Sequence, residues 1–397
     1  MSETAVAKVA VVADEASSGS AVSIACGIYL VGYAGYCFEE TRDLRYLVYV
    51  LPLFLVASLT LRRALTINRP AVAFLLSYLL LASVSHLIGM KGGEDFSRNF
   101  VIIALIIVCF IPVIDVSVAQ IRFVFLCSLA YLLLAYWLRE GAGIRLLQML
   151  ESGTGSGVET GFDNHEGGLV GPVYAVFFYA IGAKLQFLLA FVMSVLGGKR
   201  VGILAILVGV VATVLFRKIT ALKPRRNRFV TLFVALATIN IVASNLTYIS
   251  ELAYENLDTG VSLEEVMLGR FKVGSEMNHA MNTRPFAESL FGSGPGSADS
   301  LATIVTGGEL TQPHNDWSKI LLDYGIAGSL ITTAFMALVF STSATAAVIA
   351  ITIATMMCTD NVLIYLFYQF PVVLMVAYAA RGESRAQDGQ PVTRWTS

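Results

Sequence analysis

Charge is scarce in this chain. Only 14% of its 397 residues are Asp, Glu, Lys or Arg, 56% are hydrophobic and the mean hydropathy is +0.72, far from the balance of a soluble globular domain. A formal net charge of −1, with no basic domain, leaves no footprint for nucleic acid. Cys26, Cys37, Cys109, Cys127 and Cys358 are odd in number and scattered through apolar sequence without ligand spacing, which argues against a disulfide framework and a zinc site. No Ser-His-Asp signature, P-loop or dinucleotide fingerprint occurs, so hydride transfer and nucleotide hydrolysis are disfavoured. The first 18 residues are polar and acidic, which reads as a cytoplasmic tail and not as a signal peptide.

What the chain does have is apolar runs. A membrane span takes about 20 mainly apolar residues, and candidates fall near 19–38, 44–61, 70–90, 99–117, 119–138, 168–184, 185–198, 200–217, 228–248, 325–341, 343–359 and 361–380. The expectation is an all-α polytopic membrane protein with about twelve transmembrane helices. The first nine occupy 19–248, interrupted by a polar loop at 139–167. A large loop domain follows at 249–324, then the last three spans at 325–380 and a tail at 381–397. Basic residues Arg62, Arg63 and Arg69 follow the second span, and Arg217, Lys218, Lys223, Arg225, Arg226 and Arg228 follow the eighth. By the positive-inside rule both sets are cytoplasmic, so both long loops face outward.

The large loop has helical signals. Ser262-Leu263-Glu264-Glu265 is a capping box with Val261 and Val266 as its hydrophobic staple, so a helix is expected from there to about Met281, with Val266, Met267, Phe271, Met277 and Met281 on its apolar side. A second short helix should begin near Pro285 and end at Gly292. Pro313 is expected in the first turn of a third, which Gly325 ends. On it Trp317, Ile320, Leu321 and Tyr324 form an apolar stripe, opposite Asn315, Asp316, Lys319 and Asp323. The loop as a whole reads as a helical periplasmic cap.

Within this frame few residues bear chemistry. His314 stands at a helix N-terminus, where the dipole favours a neutral imidazole, a usable general base; a capping histidine is the plainer reading. Lys199 and Arg200 interrupt apolar sequence and are either functional cations or interfacial ones that snorkel. Arg270 and Arg284 have the planar fork that suits pyrophosphate, yet a loop arginine is more often simply solvated. Glu39, Glu40 and Asp43 could hold a divalent cation or be an ordinary charged loop. Asp163, Asn164, His165 and Glu166 allow a sugar or metal contact or a plain polar loop end.

Three motifs in order carry a family resemblance: Leu290-Phe291-Gly292-Ser293-Gly294-Pro295-Gly296-Ser297, then Pro313-His314-Asn315-Asp316-Trp317, then Tyr324-Gly325-Ile326-Ala327-Gly328. They resemble the glycine-rich loop, the HN motif and the aromatic-Gly-x-x-Gly segment of the bacterial O-antigen polymerase and O-antigen ligase superfamily. Asp163-Asn164-His165 is similar to an Asn-containing segment of the same family. The resemblance implies a GT-C-like membrane glycosyltransferase of the inner membrane that faces the periplasm and needs no metal or other cofactor. Its partners would be an undecaprenyl-pyrophosphate-linked oligosaccharide, membrane lipid and a chain-length regulator. Carried over, His314 acts on the acceptor hydroxyl. Arg200 and either Arg270 or Arg284 hold the pyrophosphate, and Lys199, Asn164, His165 and Asn315 contact substrate. The motif wording favours a polymerase over a ligase that transfers to lipid A core. A transporter is the rival from another class, disfavoured because acidic residues are nearly absent from the span centres.

Overall fold

The computed structural model describes residues 21–61, 69–89, 115–140, 165–197, 199–222, 224–254, 270–363 and 365–387. Every regular element among them is helical. We number these α1 (Ala21–Cys37), α2 (Leu51–Leu61), α3 (Arg69–Gly89), α4 (Val118–Glu140), α5 (His165–Ile181), α6 (Lys184–Leu196), α7 (Arg200–Lys218) and α8 (Arg225–Ser244). There follow α9 (Leu246–Tyr254), α10 (Arg270–Thr283), α11 (Phe286–Phe291), α12 (Ser297–Val305), α13 (Asp316–Phe340), α14 (Ala344–Met356) and α15 (Leu366–Gln387).

A helix stands at every candidate span except 99–117, which lies almost wholly outside the described residues. Val118–Ala135, Arg200–Lys218, Arg225–Ser244 and Asp316–Phe340 are long and apolar enough to cross a membrane, and Gly168–Ile181, Lys184–Leu196 and Ala344–Met356 are among the shorter apolar helices. On α7, Leu204, Leu207, Val211 and Leu215 recur at helical spacing and are about half exposed. A stripe of that kind needs lipid rather than water beside it. The described residues are all-helical, and their long apolar helices are those of a membrane protein. The second candidate span, 44–61, is only partly α-helical: Glu39–Val50 winds as a 3₁₀ helix and α2 starts at Leu51. Pro52 explains the break, because its ring clashes with the carbonyl four residues back and it has no N–H to continue a helix.

Two compact units share the chain. The first comprises Met1–Thr66, Pro112–Ile206 and Leu366–Ser397. Its core is aromatic: Tyr29 stacks on Phe370 at 5.0 Å, and Phe125 lies 5.0 Å from Tyr174 and 5.1 Å from Phe178. Glycines let α5 and α6 approach closely, since a Cβ on Gly171 would lie 2.6 Å from Ser194 Oγ and 2.9 Å from its nitrogen.

The second unit comprises Ile67–Ile111 and Leu207–Tyr365 and is built on α13. Helix α8 runs antiparallel to α13. Asn315, before the start of α13, donates from Nδ2 to Ala243 O near the end of α8 at 3.0 Å, and the buried Arg228 near the start of α8 donates from Nε to Ser341 O at the far end at 3.0 Å. Helix α3 covers another side through Tyr78 on Tyr324 at 5.3 Å and Phe74 stacked on Phe335 at 3.9 Å.

The loop helices depart from expectation in three ways. Helix α11 runs Phe286–Phe291 with Pro285 and Gly292 as its caps, as expected, and α10 ends close to the expected point, whereas its proposed start at 261–269 lies outside the described residues. The expectation missed α12, whose start is supplied by a carboxylate distant in sequence: Asp323 accepts from Gly296 N at 3.2 Å and Ala298 N at 2.8 Å. Nor does Pro313 open α13. Asn315 does, accepting the Ser318 N–H at 3.0 Å as an Asn N-cap should. Gly325 does not end the helix but breaks it, at φ 67° and ψ −167°, and it resumes to Phe340.

Candidate active site

The break at Gly325 organises the polar region. Carbonyls of the turn before it take partners from outside the helix, as buried carbonyls must. Leu322 O accepts from Ser293 N at 2.9 Å, Asp323 O accepts from Gly294 N at 3.3 Å and from Ser85 Oγ at 2.5 Å, and Arg284 Nη1 donates to Leu321 O at 3.0 Å and Leu322 O at 3.3 Å. The glycine-rich loop is therefore bound backbone to backbone against α13. Lys319 closes the other side by an ion pair to Asp299 at 2.6 Å, with both groups largely buried. The expected polar face of this helix is not a wet one: Asp316 and Asp323 are buried like Trp317 and Tyr324.

The HN segment is held as firmly. Both ends of the Asn315 amide are engaged, with Ser318 N and Ala243 O. Asp316 N donates to Met357 O at 3.0 Å, its Oδ2 accepts from Leu363 N at 2.9 Å, and Trp317 Nε1 donates to Ala354 O at 3.0 Å. His314 sits just before this anchored turn, outside the helix. Its side chain is 24% exposed, its Nδ1 is buried without a hydrogen bond, and the nearest carboxylate oxygen is Asp360 Oδ1 at 3.8 Å. Asp360 is 2% exposed and takes the Asn361 N–H at 2.9 Å, which fixes that oxygen. Asn361 Nδ2 in turn donates to Gln312 Oε1 at 3.2 Å.

An imidazole in van der Waals reach of a buried carboxylate is suited to taking a proton, because the carboxylate offsets the charge the ring then carries. Neither Asp360 nor its loop stands out as a site in the sequence. The available signal was small: Asp360-Asn361 is a polar pair interrupting apolar sequence between the last two candidate spans, on the same side as His314 by the span count.

The cations divide. Arg284 is half-buried and committed to the two carbonyls at the break, and burial pulls its guanidinium below its ordinary range while Glu288 opposes that shift. Arg270 opens α10, with its side chain outside the described ones, and Asn164 lies outside the described residues altogether; His165 is described by backbone alone, as the first residue of α5. In the first unit, Lys199 and Arg200 come together with the segment that follows His165. The Lys199 stem covers Gly168, where a Cβ would meet Lys199 Cγ at 2.4 Å. Arg200 is exposed in the first turn of α7, an end where helix N–H groups attract anions.

No curated protein matches the chain. Residues 185–333, which include Arg200, Arg270, Arg284, the glycine-rich loop and the HN motif, match the O-antigen ligase family, and over that stretch the chain is similar to its members.

Proposed function

We propose that this protein is a bacterial polysaccharide polymerase for O-antigen, capsule or exopolysaccharide. In this reading it is a membrane glycosyltransferase that moves a glycan from undecaprenyl pyrophosphate to a lipid-linked repeat unit at the periplasmic face of the inner membrane. The observation that carries the reading is His314 in its anchored loop, inside the matched stretch, with Nδ1 facing the buried Asp360 carboxylate.

Nε2 of His314 takes the proton of the acceptor hydroxyl, whose oxygen forms a bond to the anomeric carbon of the donor sugar as the bond from that carbon to pyrophosphate breaks. The electron pair leaves with undecaprenyl pyrophosphate. Asp360 faces the ring and offsets its new charge. Arg200, with the N–H groups of its helix start, and Arg270 are assigned to the pyrophosphate. Of the two loop arginines Arg270 is preferred, because the Arg284 guanidinium already serves two carbonyls. A single displacement inverts the anomeric configuration, so a retained linkage in the product would falsify this step.

The orientation has support within the second unit. His314 precedes one end of α13, and exposed Arg225 and Arg226, with Arg228 bound to the other end at Ser341, mark the opposite end as cytoplasmic. The His314 end then faces the periplasm, where lipid-linked repeat units are joined.

The description of the matched family favours a second reading, a ligase that transfers glycan to lipid A core. Gel profiles of lipopolysaccharide, capsule and exopolysaccharide from cells carrying His314→Ala, at matched membrane protein level, separate the two. Loss of long chains with one repeat unit still on lipid A core identifies the polymerase. Loss of all repeats from lipid A core identifies the ligase, and an unchanged profile rejects both.

A further inference from the structure

Two residues before His314 stands Gln312, a side chain with an unusual arrangement for a loop glutamine. It is only partly buried, yet its amide is not free to turn. Gln312 Oε1 accepts from Asn361 Nδ2 at 3.2 Å, and Asn361 is 1% exposed, so the acceptor end of the Gln312 amide is fixed from inside the protein. Backbone restriction adds to this, since a residue before proline is held near the extended region and Pro313 follows. With Oε1 engaged, the two Nε2 hydrogens point away from Asn361 and are the donors left to offer.

The same short segment faces the base. Asn361 donates its backbone N–H to Asp360 Oδ1 at 2.9 Å, and that oxygen is the one 3.8 Å from His314 Nδ1. One pair of consecutive residues thus approaches the imidazole through Asp360 and binds the Gln312 amide through Asn361. Asn361 Oδ1 is moreover buried without a donor, which folded proteins seldom carry without a functional reason.

We propose that Gln312 is a specificity-determining residue that donates from Nε2 to an oxygen of the acceptor sugar next to the hydroxyl attacked through His314, with Asn361 as its positioning residue. The ligand class is a sugar carrying a second oxygen adjacent to its nucleophilic hydroxyl. This rests on the glycosyl-transfer reading above and adds the group that selects the acceptor. Nothing in it concerns the donor, and that separation makes it testable.

The test uses the full-length protein in lipid nanodiscs, with a short polymer on undecaprenyl pyrophosphate as donor and a radiolabelled single repeat unit on the same carrier as acceptor. Gln312→Glu keeps the oxygen that Asn361 binds and removes the donors; Gln312→Met removes both without adding charge. Each should raise the acceptor KM about five- to tenfold, the worth of one neutral hydrogen bond, with donor KM unchanged; Gln312→Glu should keep the melting temperature, and Gln312→Met should lower it because Asn361 Nδ2 loses its acceptor. Asn361→Ala should raise the acceptor KM by a smaller factor. An acceptor KM within twofold of wild type in both Gln312 variants overturns the inference alone, provided His314→Ala is inactive in the same assay. Absence of transfer by the wild-type protein overturns the glycosyl-transfer reading, whereas transfer that survives His314→Ala removes the base next to which Gln312 is placed and overturns the inference.

Discussion

Gly325 and Gly292 meet without side chains between them: a Cβ on Gly325 would stand 2.6 Å from the Gly292 nitrogen and 2.5 Å from the Leu290 carbonyl carbon, and one on Gly292 would stand 2.1 Å from Asp323 O. Both have positive φ, 67° and 90°. The glycine-rich loop and the break in α13 therefore define each other, and between them they set the stretch that leads from the HN motif into the membrane.

Gly325→Ala should destabilise the protein by at least about 2 kcal/mol, from left-handed strain plus a backbone clash that cannot relax by moving a side chain. Gly292→Ala should behave alike. Gly307, at φ 64° with nothing within 4 Å of a built Cβ, isolates the strain, and its alanine variant should lose only about 1 kcal/mol. Thermal melts of the three variants in one detergent rank them, and equal melting temperatures would refute the interlock.

Lys319→Met leaves the Asp299 carboxylate, 5% exposed, without its cation, and should cost about 3–5 kcal/mol. The double variant Lys319→Met with Asp299→Leu should recover most of that loss. A double variant no better than the single would mean that the ion pair is not what matters there.

Arg284→Lys and Arg270→Lys should fail differently. A lysine cannot serve Leu321 O and Leu322 O with the arginine fork, so Arg284→Lys should melt earlier with donor KM unchanged. Arg270→Lys should leave the melt alone and raise donor KM about tenfold or more. The opposite pattern would exchange the two assignments.

Asp360→Asn keeps the shape of the side chain and removes its charge, and should lower kcat about 10- to 100-fold with little change in either KM, the signature of a group that acts on the transition state. Unchanged kcat would leave the 3.8 Å approach to His314 without a catalytic role.

A chelator should change the transfer rate by less than about twofold, because in the proposed displacement the proton goes to His314 and the pyrophosphate charge to arginines. Loss of activity with EDTA that returns on adding a divalent cation would overturn that account.

The sequence by itself determined the material: an apolar chain divided into membrane-length helices, with its polar residues gathered in one late loop. Composition and periodicity are local properties, and they carry directly into α4, α7, α8 and α13 because a helix bonds only to itself along the backbone. The order of the three motifs was likewise legible, and so was the short helix between Pro285 and Gly292. Only the tertiary structure decided what the polar residues do. Asp323, placed on a wet face by helical spacing, caps a helix that begins 26 residues before it in the chain, accepting from Ala298 N at 2.8 Å, and Arg284 stitches a broken turn. Asp360 approaches His314 although two helices, α13 and α14, separate them along the chain. Such partners are remote in sequence, and which buried charge meets which is set by packing rather than by any spacing along the chain.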